Sequence, residues 1–398
     1  MRTHRFRLYP SKATEQKLQR TLDLCRFTYN QLLDEFSSWD SISRYELQSR
    51  IVDLQICYPE LKEVYSKTLQ YENYRLFSNL KALGETKKNG RKVGRLRFKG
   101  KGWFKTIHYN QSGYKFIMTG KRCQTLKLSK VGEIPIRCHR TIKGNIKQVV
   151  VKREPSGKWF ASIITDQQKI VQKKPINKVV GIDLGLTDSV WDSDNNKTEN
   201  PKFLSKYSEQ LATCQRRMSK KKLGSNNREK FRIRLARRYE QLTNTRKDFV
   251  HKLTRYYADN YDAIAMEDMS IANMVKGKKN RFSKSLLDAC FGLIRSEMRR
   301  KAENAGGVFI PVNFRGTTSR CSQCGNDTKK ELCEREHNCY NCGFVVPRDY
   351  NSALEIKRLA LIEIRQELPE STLEEMDALH SNVQLPSMSQ EATSLEAW

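Results

Sequence analysis

Two cysteine pairs, Cys321-Ser-Gln-Cys324 and Cys339-Tyr-Asn-Cys342, stand fourteen residues apart in the last third of the chain. Few sequence features constrain a backbone as tightly. A CxxC turn lets two thiolates approach one ion from adjacent corners of a tetrahedron, and a second such turn supplies the other two corners. Gly325 and Gly343, each directly after its pair, suit the tight turns of two knuckles. The spacing predicts one structural Zn2+ held by Cys321, Cys324, Cys339 and Cys342. With every corner filled by protein, no position stays open for water, so this metal holds a fold and does no chemistry. Cys333 and His337 lie between the knuckles and are read as bystanders. A redox reading is weaker, because neither pair opens a helix after a strand.

The other cysteines do not call for disulfides. The N-terminus MRTHRFRLYPSK lacks the apolar stretch of a secretion signal, so reduced thiols in a cytoplasm are expected. No apolar run reaches the length needed to cross a bilayer.

Acids appear where apolar strands end. Asp183 closes VVGID and is followed by Gly185; Glu267 closes AIAME. An ionised carboxylate at a buried strand end is costly without a cation or hydrogen-bond partner, and a divalent metal is one such cation. Asp349 follows the second knuckle in PRDYNSALEI, where Asp349, Ala353 and Ile356 share one helical face. Three converging carboxylates could hold two Mg2+ (or Mn2+) ions about 4 Å apart, one activating water and one stabilising the leaving oxygen of a phosphodiester. Singly, each acid has a duller role: a turn cap, an ion pair, an N-cap. Their joint placement carries the metal reading. Asp188 and Asp268 are read as surface or supporting groups, and Asn351 is expected to orient Asp349 by a hydrogen bond.

Charge names the class of partner. Residues 1–360 hold 73 Lys and Arg against 36 acids, a net +37, and the whole 398-residue chain is +30. Such an excess favours a polyanion, and nucleic acid ranks well above acidic lipid because no lysine-rich amphipathic helix stands apart. From Arg216 to Arg255 there are fifteen Lys or Arg and three acids. The segment from Lys87 to Lys105 is glycine-broken and densely basic, and reads as a loop lying against phosphates.

The pattern along the chain predicts several domains. THRFRLY over 3–9 is a short strand, Pro10 and Ser11 a turn and N-cap, and Leu18, Leu22, Cys25, Tyr29, Leu33 and Phe36 the stripe of a helix, with more helices to about residue 84. From 105 to 166, KTIHY, YKFIM, TLKLS, EIPIR, IKQVVVKR and KWFASIIT read as an antiparallel barrel or small sandwich. After a polar linker at 172–177, VVGID, long helices over 205–258, YDAIAMED, a helix over 284–305 and GVFIPV describe an α/β layer with a mixed or parallel sheet.

The motifs GIDLGLTD, MEDM, TSRCSQCG, CYNCG and RDYNSALEI, in that order, resemble the RuvC-like nuclease of the TnpB family, transposon-encoded relatives of compact type V CRISPR effectors. FRLYPSKATEQKL, CRFTYNQ, LKEVYSKTLQ and RLRFKGKG extend the resemblance toward the N-terminus, so that it reaches to about residue 358. It implies a multidomain α+β fold. A wedge β-barrel (1–10 and 86–172) holds an inserted helical recognition region (11–85). An RNase H-like RuvC α/β domain (178–314 and 346–362) holds a four-cysteine zinc-binding target-loading module (315–345), and an acidic disordered tail (363–398) follows. It further implies an Mg2+-dependent RNA-guided DNA endonuclease: guide RNA pairs with double-stranded target DNA beside a short protein-read motif, and two-metal hydrolysis at one RuvC site cuts both strands. By position Asp183, Glu267 and Asp349 match that family's catalytic acids, while Tyr45, Lys67 and Gln70 on the inserted helices are expected to read the motif. Having all three acids argues against the catalytically silent guided repressors of that kind, and strand transfer by a transposase or recombinase is the other enzymatic alternative. The expectation is a monomer in a prokaryotic cytoplasm, associated with the nucleoid and not with membrane.

Overall fold

The computed structural model describes residues 1–38, 42–118, 124–167, 171–270, 274, 283–313, 315–331 and 333–367. The chain divides into two compact units, Met1–Lys169 with Arg217–Arg237, and Ile170–Arg216 with Arg238–Trp398.

In the first unit, β1 (Arg2–Leu8) points His4, Phe6 and Leu8 inward. Ser11 then caps α1 (Lys12–Ser38), its hydroxyl accepting the Thr14 N–H at 3.2 Å. Leu18, Leu22, Cys25, Tyr29 and Leu33 are buried along one stripe, as their spacing predicts. Ser43 and Glu46 close a reciprocal capping box at the start of α2 (Arg44–Cys57). A single 3-10 turn at Pro59–Glu63 leads to α3 (Ser66–Lys88).

Six strands follow: β2 (Thr106–Asn110), β3 (Tyr114–Met118), β4 (Gln124–Leu128), β5 (Gly132–Arg137), β6 (Ile146–Arg153) and β7 (Trp159–Thr165). They match the six alternating segments expected there. With β1 they form a seven-stranded antiparallel sheet ordered β2-β6-β7-β1-β5-β4-β3. Its two edge strands, β2 and β3, are consecutive in the chain and joined by the short turn Gln111–Gly113. The Tyr114 hydroxyl also donates to the Ile146 carbonyl at 2.7 Å. The sheet therefore curls back toward a barrel. Phe6, Ile107, Leu126, Ile134, Val149 and Trp159 share one core with helix residues Leu18, Tyr29, Leu69 and Leu76.

The second unit is built on a five-stranded sheet. In chain order its elements are β8 (Val179–Asp183), β9 (Asp188–Asp192), β10 (Lys197–Glu199), α4 (Phe203–Ser219), α5 (Asn226–Asn260), β11 (Ala263–Glu267), α6 (Ser283–Asp288), α7 (Phe291–Ala305), β12 (Val308–Val312), β13 (Glu336–Asn338), β14 (Val345–Pro347) and α8 (Arg348–Glu367). The stretch of α4 and α5 over Arg217–Arg237 belongs to the first unit. The sheet order is β10-β9-β8-β11-β12, with β8, β11 and β12 parallel and β9 and β10 antiparallel beside them. Parallel strands need cover on both faces. One face packs Val180, Ile182, Ile264 and Met266 against Val250, Leu253, Ile294 and Met298 of α5 and α7. The other packs Val179, Ala263, Ala265 and Ile310 against Ile356, Ala360 and Ile364 of α8. Of the tail expected from 363, residues 363–367 continue α8, and the remainder lies outside the described residues. Among the described residues no helix is long and apolar enough to cross a membrane.

Candidate active site

Strand parity brings the first two acids together. Side chains alternate faces along a strand, so Asp183 shares the face of Val179, and Glu267 that of Ala263 and Ala265. This is the face covered by α8. The two strands are neighbours in register, Ile182 opposite Met266, so the carboxylates end adjacent strands on one side of the sheet.

Asp349 arrives from above, in the first turn of α8. Helix and strand approach so closely at Gly181 that a Cβ there would lie 2.2 Å from the Ala353 carbonyl oxygen and 2.5 Å from the Lys357 nitrogen. Only glycine permits that approach. Ala353 and Ile356 are fully buried, as the helical face predicts.

The electrostatics follow from this crowding. Burial, then the Glu267 and Asp349 carboxylates, push the Asp183 carboxyl well above its ordinary range. Burial raises Glu267 as well, opposed by the Thr317 hydroxyl that donates to its Oε1. Arg348 Nε lies 3.3 Å from Asp349 Oδ1. Acids that repel one another in this way offer a divalent cation a ready site, because its charge relieves the repulsion. Among the described residues only the four cysteines gather their ligand atoms within 4.8 Å of one another.

The cysteine cluster is tighter. Cys321 and Cys342 Sγ are 3.7 Å apart and Cys324 and Cys339 Sγ 3.5 Å apart. Four sulfurs about 2.3 Å from a tetrahedral zinc would lie roughly 3.8 Å apart, so the donor set fits that metal. Gly325 and Gly343 take left-handed φ of +75° and +72° and donate to the Cys321 and Cys339 carbonyls, closing the knuckles. Cys333 is exposed and outside the set. His337 is buried outside it too, its Nδ1 against Lys330 Nζ.

Asn351 does something other than expected. Its Oδ1 accepts the Ser322 N–H at 3.0 Å and its Nδ2 donates to the Arg320 carbonyl at 2.8 Å, so it ties the first knuckle to α8 and does not orient Asp349. Glu355, fully buried on the same helix, accepts from Arg358 at 2.7 and 2.8 Å and pairs with Arg320 at 3.4 Å. Sequence reading missed Glu355 and Thr317. Glu355 carried a signal, an acid inside an apolar helical face with arginine three residues on; Thr317 carried none. Tyr45 stands 75% exposed at the start of α2, and Lys67 and Gln70 lie one turn apart and half-buried on α3. Asn73 Nδ2 donates to the Arg44 carbonyl at 2.8 Å, which docks the start of α2 on α3.

Three family models match in chain order. A helix-turn-helix domain model covers residues 1–39, where the structure has β1 and α1. The OrfB model of IS605, described as "Probable transposase", covers 162–278 and so Asp183 and Glu267. A Cas12f1-like TNB domain model covers 291–356, with the four cysteines and Asp349. The chain is 27% identical over 379 residues to the "Putative RNA-guided DNA endonuclease InsQ" of Escherichia coli K12, covering 89% of this chain and 91% of that one. It is 29% identical to a "Putative RNA-guided DNA endonuclease" of Streptomyces pristinaespiralis, covering 89% and 88%. Its fold matches a solved complex of Cas12f1 with sgRNA and target DNA at a TM-score of 0.56 and 16% identity, over 87% and 83% of the two chains. Models in order, relatives along nearly the whole length and the four-cysteine cluster agree in making this chain similar to the proteins named RNA-guided DNA endonuclease.

Proposed function

We propose that this chain is an RNA-guided DNA endonuclease in which Asp183, Glu267 and Asp349 hold divalent metal, Mg2+ in the cell, at a single site that hydrolyses both strands of a target duplex. The observation that carries the reading is the joint position of these acids: adjacent strand ends, one sheet face, and the first turn of the helix over that face. Relatives of similar length bear the name RNA-guided DNA endonuclease. When bound, the ions supply a water made acidic enough to attack at neutral pH and a counter-charge for the leaving oxygen. The protein's own part is positioning. Asp183 ionises once a cation offsets its neighbours, Thr317 fixes the Glu267 carboxylate by its hydroxyl, and Arg348 restrains Asp349 from the adjoining residue.

On this reading the curled sheet of the first unit is the wedge domain and α1–α3 the recognition region, with Tyr45, Lys67 and Gln70 reading the target-adjacent motif. The five-stranded sheet with α8 is the RuvC-like domain, and residues 315–345, held by zinc on Cys321, Cys324, Cys339 and Cys342, form the target-loading module. Guide pairing supplies sequence specificity, leaving the protein to grip backbones, which a net +37 over residues 1–360 suits.

The test is purified protein with its co-purifying RNA on a matched duplex library in Mg2+. Cut ends on both strands are expected, lost in Asp183→Ala. Cleavage that survives Asp183→Ala would remove the site assignment, and joined strands made without RNA would point to strand transfer instead.

A further inference from the structure

Between α3 and the loop before β2 lies a cavity of about 530 Å3 that the proposed chemistry leaves unused. Leu83 of α3 and Leu96, Lys99, Trp103 and Lys105 of the loop are among the residues that line it, and its size is that of a small-ligand pocket. The indole of Trp103 is 67% exposed and Phe98 of the same loop 60% exposed. Lys99 Nζ sits 5.4 Å from the Trp103 ring centroid.

The loop has no regular structure, yet it is pinned. The Lys99 N–H donates to Asn30 Oδ1 at 2.8 Å, and its carbonyl accepts from Asn30 Nδ2 at 3.1 Å and Arg26 Nη1 at 3.2 Å. The Trp103 N–H then closes a turn on the Gly100 carbonyl, with Gly102 at a left-handed φ of +77°. A large apolar ring is thus held out in water by hydrogen bonds from α1. From Lys87 to Lys105 there are nine Lys or Arg and no acid, so the ring stands in a field that draws phosphates and repels other cations.

A flat apolar face beside backbone-seeking cations is how proteins grip unpaired nucleotides. We infer that the pocket beside Trp103 takes one unpaired nucleobase of single-stranded RNA, stacked on the indole, with its flanking phosphates on Lys99 and Lys105. This rests on the reading of RNA as a partner, but not on cleavage. Stacking tolerates any base, so the pocket grips a strand without reading it.

The experiment uses the full chain without added metal and an oligouridylate carrying 5-iodouridine. Irradiation is expected to crosslink the RNA to Trp103, mapped by mass spectrometry. By fluorescence anisotropy Trp103→Leu should weaken oligouridylate binding about tenfold, and Trp103→Phe should keep it within about twofold. An abasic oligoribonucleotide should bind both variants and the parent alike. Equal binding of oligouridylate by Trp103→Leu and the parent, crosslinks that map only elsewhere, or tighter Trp103-dependent binding of oligothymidylate than of oligouridylate would overturn the assignment. Melting curves of Trp103→Leu matching the parent exclude unfolding, since the side chain is exposed. Guided cleavage, measured separately in Mg2+, can fail or succeed without changing these results.

Discussion

Gly181 is the residue on which the candidate site's geometry turns. Any Cβ there meets the α8 backbone at 2.2 Å, and backbone cannot step aside as a side chain could. Gly181→Ala is expected to destabilise the second unit by about 1–3 kcal/mol, as overpacking does, and to lift Asp349 away from the sheet. A lower denaturation midpoint together with weakened cleavage would be seen; an unchanged midpoint would show that the helix has room to spare. A different tension sits in the first unit, where Glu72 is fully buried with Arg75, 3.3 Å away, as its ion-pair partner. Burial pushes its carboxyl up to about 8, despite Arg75. A carboxyl raised in the fold contributes stability that is present below the unfolded value near 4.5 and lost as pH rises through about 8. The first unit should therefore lose stability between those limits, and Glu72→Gln should flatten that slope in melts run across the range. Asp183 and Glu267 could be read from sequence because a carboxylate ending an apolar run has few cheap explanations. Asn351 could not: two residues from Asp349 on a helix it points to another side, so nearness in sequence gave the wrong partner.

Helix α8 and the zinc knuckles act as one element. Asn351 holds the backbone of Arg320 and Ser322, Glu355 holds Arg320, and the Arg348 N–H donates to the Arg335 carbonyl at 2.8 Å. A metal closing the knuckles would therefore also set where the first turn of α8 begins, and Asp349 rides on that turn. Cys339→Ser should abolish stoichiometric zinc by elemental analysis and cut guided cleavage steeply, while the first unit keeps its own unfolding transition. Asn351→Ala removes two hydrogen bonds to part-buried backbone groups of Arg320 and Ser322, at a cost of about 1 kcal/mol. It is expected to speed zinc loss to a chelator, with residual cleavage tracking bound zinc. Cleavage lost at full zinc occupancy would instead mean that Asn351 serves Asp349 directly. The same scale shows which elements patterning reveals. Strands with a regular apolar alternation, β1 through β7, could be read directly, and so could the buried runs of β8 and β11. The antiparallel pair β9 and β10 could not: KTE is short, polar and at the sheet's edge, and DSVWD buries Ser189 and Asp192 beside Val190, so its inward positions do not read as an apolar alternation.

At the scale of the whole molecule the dominant fact is an excess of positive charge that folding alone does not neutralise. Part of it is concentrated in a segment that the sequence marks as basic but does not place. Helices α4 and α5 read as one long charged stretch, and nothing in a helical period says which neighbour a distant turn will meet. In the structure Arg217–Arg237 clusters with the first unit although both helices run on into the second. That segment holds nine Lys or Arg and one acid, Glu229, whose carboxylate is already taken by Arg232 at 2.6 Å. Lys220, Lys221 and Lys222 are exposed at its tip. If these lysines neutralise RNA phosphates, each contact contributes about 0.7 to the slope of log affinity against log salt for a single strand. Replacing all three by alanine should then lower that slope by about 2 and weaken binding to any RNA sequence alike, measured by anisotropy across a salt series. Affinity that drops without a change in slope would mean the substitutions damage the fold, and a slope equal to the parent's would place the phosphates elsewhere on the protein.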